Sequence, residues 1–98
     1  VTSLVFKIPG PLRELAGDRD EVRVEGAGPA GSATVADALG LLWQECPAVR
    51  DRVMTELGEV RPHVSLFVDG EDIRFLGGLE APVRDGSEIY ILPALSGG

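Results

Sequence analysis

The sequence predicts an α+β roll, a mixed sheet with one amphipathic helix laid across one of its faces. Three observations carry that prediction. Apolar and polar residues alternate with period two at Val1–Ile8 and again at Glu21–Glu25, as half-buried strands require. A hydroxyl cap at Thr34 then opens a stretch whose apolar residues recur at helical spacing. The whole chain is 98 residues long, enough for one such core and too short for two domains.

Each element follows from its own residues. In the first strand Leu4, Phe6 and Ile8 share one face, Ser3, Val5 and Lys7 the other, and Pro9, Gly10 and Pro11 stop it. Leu12–Gly17 and the polar Asp18, Arg19 and Asp20 read as a long loop, after which Glu21–Glu25 returns beside the first strand as a hairpin. Gly26–Ser32 is a connecting loop rich in Gly and Ala. Thr34, with an acid three residues on at Asp37, forms a capping signature. Val35, Leu39, Leu42 and Cys46 follow on one helical face with Trp43 alongside, and Pro47 ends the run because its ring and missing N–H disrupt a continuing helix.

Ala48–Leu57 repeats the spacing through Val49, Val53 and Leu57, with Gly58 as a stop, which predicts a second, shorter helix. A third strand is expected over His63–Asp69, turning at Asp69-Gly70, then a short strand at Asp72–Phe75. The last strand is expected at Ser87–Leu92, after the turn Asp85-Gly86. A right-handed crossover through the helix is expected to lay the third strand parallel to the first. The six residues Pro93–Gly98 carry no pattern for a further element. Residues 1–92 are therefore expected to form the domain and 93–98 a mobile tail.

Composition narrows the function classes. Sixteen acidic residues against nine Lys and Arg give a formal charge of −7, which repels nucleic-acid phosphates and anionic lipid surfaces. No nucleic-acid or membrane partner is expected. A single cysteine, Cys46, and a single histidine, His63, form neither an intramolecular disulfide nor a Cys/His zinc site, a pattern that fits a reducing cytoplasm. No apolar stretch approaches membrane-spanning length.

Several motifs invite chemistry and are weighed against plainer roles. Gly26-Ala27-Gly28-Pro29-Ala30-Gly31 matches the GxGxxG dinucleotide fingerprint, with Asp51 about 20 residues on. The preceding strand exposes Glu21, Arg23 and Glu25 instead of running continuously apolar, and the helix signal starts only at Thr34, so the amides do not converge on a pyrophosphate. It reads as a connecting loop. His63 and Ser65 share a strand face without the geometry of a catalytic triad. Cys46 reads as a packed small hydrophobe with no base or cationic neighbour in the sequence pattern. Asp69, Glu71 and Asp72 lack calcium-loop spacing and read as a solvated turn, and Gly77-Gly78 as a tight turn.

The closing Gly97-Gly98 weighs more. At ordinary glycine usage such a terminal pair arises by chance roughly once in two hundred chains. Here it also ends a short tail directly after a last strand. A carboxylate is a poor electrophile and must be activated, for instance as an acyl adenylate, before sulfur or nitrogen attacks it. Two residues without Cβ let the backbone carry that group through a narrow channel.

These residues resemble a known family, the ubiquitin-like sulfur carriers of the ThiS/MoaD group. The resemblance runs over essentially the whole chain: Leu12–Gly17 resembles the loop after the first strand, Thr34–Leu39 the helix start, and Asp85-Gly86 the turn before the last strand. Val68–Phe75, Gly77-Gly78-Leu79 and Ile91–Gly98 are most similar to the CysO-type members and to carriers in natural-product thiolation. The resemblance implies a β-grasp fold and a protein that is a recycled co-substrate, not an enzyme. It implies that an E1-like adenylyltransferase using ATP and Mg²⁺ activates Gly98, which becomes a thiocarboxylate, with no cofactor bound by the carrier itself. The implied acceptor is an enzyme such as a pyridoxal-phosphate-dependent cysteine synthase, with a metalloprotease releasing the product. Gly97 and Ser96 would give passage, and Leu95 and Pro93 would guide the tail.

Alternation marks Val5, Phe67, Tyr90 and Leu92 as the apolar residues of the sheet face away from the helix, either a docking patch or part of the core. Two other functions stay open. A molybdopterin-synthase small subunit of the MoaD type often carries two prolines before its tail, where this chain has Pro93 alone. A ubiquitin-like modifier, or a module that binds without covalent chemistry, is the alternative of another class. Lys7 is the only lysine, so self-conjugation would have one side-chain site.

Overall fold

The computed structural model describes residues 2–26 and 33–93. Five strands form one mixed sheet in the order β2-β1-β5-β3-β4, where β1 is Thr2–Lys7, β2 Glu21–Gly26, β3 Val64–Val68, β4 Glu71–Asp72 and β5 Glu88–Pro93. β1 pairs antiparallel with β2 and parallel with β5, and β3 pairs antiparallel with both β5 and β4. The expected parallel relation of the third strand to the first is therefore corrected. A crossover preserves the direction of the strand it leaves, and the chain enters the helix from β2, which runs against β1. β3 is thus antiparallel to β1, and the parallel neighbour of β1 is the last strand.

Helix α2, Val35–Glu45, lies against one face of this sheet. Its start is the capping box read from the sequence: the Asp37 amide donates to Thr34 Oγ1 at 3.3 Å and the Thr34 amide to Asp37 Oδ2 at 3.0 Å. Val35, Ala38, Leu39 and Leu42 are buried along it, facing Leu4 and Phe6 of β1, Val22 and Val24 of β2, Leu66 of β3, and Ile89 and Ile91 of β5 in one core. Burying the valine, leucine, isoleucine and phenylalanine side chains among them contributes about 1.5–3 kcal/mol each. Gly26 belongs to the same packing, because a Cβ there would fall 2.5 Å from Leu41 Cδ1. The loop 27–32, and with it most of the GxGxxG match, lies outside the described residues.

Four further expectations are corrected. The second helix, α3, spans Pro47–Val53 instead of Ala48–Leu57. Met54 turns extended and bridges Val60, and Thr55 and Glu59 pair, so Leu57 sits at a turn, 81% exposed, with Gly58 at φ 80°. Leu12–Gly17 is not loop throughout: Gly10–Arg13 forms a helical turn, α1, and Glu14–Ala16 a 3₁₀ turn, which bury Leu12 and Ala16. Asp72–Phe75 is a strand only at Asp72, since Ile73–Phe75 winds into a 3₁₀ turn capped by Asp72 Oδ1 accepting from the Arg74 amide at 2.9 Å. Pro93, expected to open the tail, closes β5 opposite Val64.

Polar groups bond closely where the start of β5 meets β1 and the β3–β4 turn. Ser87, nearly fully buried, accepts from the Arg84 amide at 3.0 Å and donates to Asp69 Oδ2 at 3.2 Å, while the other Asp69 oxygen accepts from the Glu88 amide at 3.0 Å. The Ser87 carbonyl accepts from the Val5 amide at 3.1 Å and the Ser3 carbonyl from the Gly86 amide at 2.7 Å. Asp69 itself holds φ 49°, followed by Gly70 at φ 92°, the pair of positive values a two-residue hairpin turn requires. Its carboxylate therefore ties the β3–β4 turn to the root of β5.

Three outcomes test this packing. Thr34→Ala removes one half of the capping box and is expected to cost about 1 kcal/mol in urea unfolding. Leu42→Ala, which empties a fully buried site, is expected to cost about 2–5 kcal/mol on the same assay. The third concerns Lys7, which pairs with Glu21 and lies 3.7 Å from Glu88. The hydrogen bond to Glu21 raises its pKa above 10.5, the negative charges of Glu21 and Glu88 add to the rise, and partial desolvation opposes them. The protonated form is thus favoured by folding, so the contribution is whole below pH 10.5 and disappears as pH rises through the folded value. Lys7→Met should flatten that alkaline loss in thermal melts between neutral and strongly basic pH.

Candidate functional site

The sheet face away from α2 is built by the outward residues of the strands. On β5 the alternation that buries Ile89 and Ile91 turns Glu88, Tyr90 and Leu92 outward. The register sets Phe67 of β3 opposite Tyr90 and Ser65 opposite Leu92, and it sets Val5 of β1 opposite Glu88 on one side and Arg23 of β2 on the other. Phe67, Tyr90 and Leu92 line one shallow hollow together with Asp69, Gly70 and Glu88. Tyr90 is 38% and Leu92 46% exposed, while Phe67 and Val5 are half-buried. All four residues marked by alternation therefore face outward, and none completes the core. Three of them meet in the hollow; Val5 sits one strand away.

Charge frames this apolar strip. Lys7, opposite Tyr90, bridges Glu21 and Glu88. The ion pairs hold Lys7 against the face. Sequence reasoning placed Lys7 on this face and missed its partners, because Glu21 and Glu88 become its neighbours only through the strand register. Leu92 stands one residue before Pro93, the last described residue, which is half-buried and opposite Val64. The apolar strip of β5 thus runs straight toward the tail. Gly98, Gly97, Ser96 and Leu95 lie outside the described residues.

The remaining motifs take plainer roles. His63 is exposed and Ser65 Oγ accepts from Arg74 Nη2 at 3.0 Å, so the two make no triad pairing. Cys46 is buried, and here the structure adds what the sequence pattern lacked: Arg19 Nη2 donates to its Sγ at 3.2 Å while Arg19 Nε donates to the Ala16 carbonyl at 2.8 Å. Arg19 stands 27 residues away in sequence and reaches Cys46 only because the 3₁₀ turn packs near α3. Asp69 and Asp72 are engaged by Ser87 and by Arg74, and among the described residues no group of three metal-ligating side chains forms. No helix among them is long and apolar enough to cross a membrane.

Comparison with known proteins agrees with this architecture. The ThiS family matches residues 6–98. The sulfur carrier protein CysO of Mycobacterium tuberculosis is 30% identical over 102 residues, covering 98% of this chain and 99% of that protein. Small archaeal modifier protein 1 of Haloferax volcanii is 36% identical over 93 residues, covering 95% of this chain and 98% of its own. Among solved structures, a chain of the BexX/CysO complex of Amycolatopsis orientalis superposes with a TM-score of 0.83 at 33% identity, covering 97% of this chain and 99% of that one. A family match over almost the whole length, relatives of equal size and the same fold lead to one assignment: this chain belongs to the ThiS family and is a ubiquitin-like β-grasp sulfur carrier close to the CysO type.

Proposed function

We propose that the chain carries sulfur as a thiocarboxylate on Gly98. The observation that supports this most is the family match running through residue 98, in a chain whose last strand ends at Pro93. Gly98 is the fifth residue after Pro93, and five extended residues span at most about 18 Å. That length lets the terminus enter a partner's active site while the sheet face stays on the partner's surface.

The chemistry follows from the group carried. The Gly98 carboxylate attacks the α-phosphorus of ATP in an E1-like partner, with Mg²⁺ on the phosphates, and pyrophosphate leaves. Hydrosulfide then attacks the acyl carbon, the C–O bond to AMP breaks, and the thiocarboxylate remains. The carrier supplies no catalytic group; ATP and Mg²⁺ belong to the activating enzyme. Gly97 and Ser96 add little bulk to the threaded segment, and Leu95 and Pro93 fix how it leaves the domain. Phe67, Tyr90 and Leu92, with Val5 beside them, form the docking face, since an apolar strip with a charged rim suits a transient interface. The likeness to CysO favours an aminoacrylate-holding, pyridoxal-phosphate-dependent cysteine synthase as acceptor, or a thiolation enzyme of natural-product assembly, with a metalloprotease to release a cysteinyl adduct.

A second reading rests on the likeness to small archaeal modifier protein 1. The same adenylate attacked by a lysine amine would form an isopeptide bond and make the chain a protein modifier.

Intact mass after incubation with an E1-like enzyme, ATP and sulfide tests the first reading. The expected gain corresponds to one oxygen replaced by sulfur, and a variant lacking Gly98 should show none. A wild-type protein that stays unmodified with a competent activating enzyme would contradict it. For the docking face, Tyr90→Ala and Leu92→Asp should raise the carrier's KM about tenfold or more with kcat little changed, as expected when an interface anchor is lost away from the reacting carboxylate.

A further inference from the structure

The end of the sheet from which the tail leaves holds a cationic cluster that the carrier chemistry does not use. Arg61 is fastened to the C-terminal end of α3: its amide donates to the Val53 carbonyl at 2.9 Å and its Nε to the Asp51 carbonyl at 2.8 Å. That arrangement suits a guanidinium at a helix C-terminus and leaves its two terminal amino groups for other partners. Arg61 lines a hollow with Asp51, Arg52 and His63, in which Arg52 and His63 are exposed. Among the described residues neither Arg52 nor Arg61 makes an ion pair; Asp51 is engaged by Arg50 at 3.6 Å.

Position gives the cluster its meaning. The Val64 amide donates to the Arg61 carbonyl at 2.9 Å, folding 61–64 into a turn, and Val64 is the residue opposite Pro93. Residues paired across an antiparallel ladder stand about 5 Å apart. Arg61 and His63 therefore stand within three residues of the partner of Pro93, at the end of the sheet where the described part of β5 ends, and Arg52 shares their hollow. The surrounding molecule carries a net charge of −7, so an acidic partner surface is repelled nearly everywhere except at such a cluster.

We propose that the hollow of Arg52, Arg61 and His63 is a second docking contact, which takes a carboxylate-bearing segment of the enzyme that receives the tail. The proposal rests on the carrier reading, since only a tail-threading partner is brought to this place. Guanidinium and imidazole groups donate to the carboxylates, and the contact steers encounter while the apolar face on β5 supplies the held interface. Its signature is salt dependence, because exposed charge pairs are screened.

Arg52→Glu is the decisive variant, since Arg52 is exposed and makes no side-chain hydrogen bond among the described residues. In the thiocarboxylation assay at low salt it should raise the carrier's KM about five- to tenfold with kcat unchanged, Arg52→Gln should fall between, and the difference should shrink at about 0.5 M salt. Equal KM values for Arg52→Glu and wild type at low salt would overturn the proposal. Wild type that is not thiocarboxylated at all would instead count against the carrier reading, and a second measurement decides the contact itself. In a ¹⁵N–¹H titration with hexaglutamate peptide, saturable shifts at Arg52, Arg61 and His63, absent with hexaglutamine and in Arg52→Glu, are expected. Shifts elsewhere, or tighter binding of inorganic phosphate or ATP at the same residues, would overturn it in favour of no site or of a small-anion site.

Discussion

The parallel pairing of β1 with β5 is the constraint on which the rest depends. It joins the first and last strands of the domain, so no local turn can form it and the intervening chain must be in place to hold it. Once formed, it sets β5 between β1 and β3, and that position does two things. It buries Ile89 and Ile91 under α2, and it forces Tyr90 and Leu92 outward beside Phe67. The core and the proposed docking face are therefore two sides of one strand, fixed by the same register. A slip of one residue would exchange them.

Ser87 and Asp69 keep that register. Ser87 is nearly fully buried, yet its hydroxyl both accepts from Arg84 and donates to Asp69, so its desolvation is offset by hydrogen bonds. The Asp69 carboxylate meanwhile secures the Glu88 amide at the root of β5. On the thiocarboxylate reading, the carrier presents its terminus to successive enzymes without losing its own fold. Anchoring β5 at its start, by side chains remote from Pro93, leaves the exit end of that strand free of such ties among the described residues and open to a partner.

Much of this was legible in the residues, and the limits were physical. Period-two alternation in β1 and β2 and the Thr34 capping box identify those elements because each signal is local. Strand neighbours are not local: that β3 follows the direction of β2 and that β5 lies beside β1 depends on how a whole sheet closes. Leu57 fitted a helical spacing that Met54 breaks by pairing with Val60, since a bridge to later residues outweighs a weak helical preference. Ile73 to Phe75 kept strand-forming residues and still wound into a 3₁₀ turn, because the Asp72 carboxylate caps it. At the site, alternation found Val5, Phe67, Tyr90 and Leu92 but could not tell an outer face from an inner one. The arginine cluster was invisible, since Arg52 and Arg61 come to one hollow only in space.

The central claim is that sulfur is carried on the terminal carboxyl carbon, and the chain offers one competing atom, the Cys46 thiol, which is buried and bonded by Arg19. Fragmentation of the sulfur-loaded intact protein by mass spectrometry separates the two most directly. Added sulfur confined to C-terminal fragments that contain Gly98, with the mass of an oxygen exchanged for sulfur, is the predicted result. Sulfur retained on fragments holding Cys46, with the mass of an added atom, would contradict it.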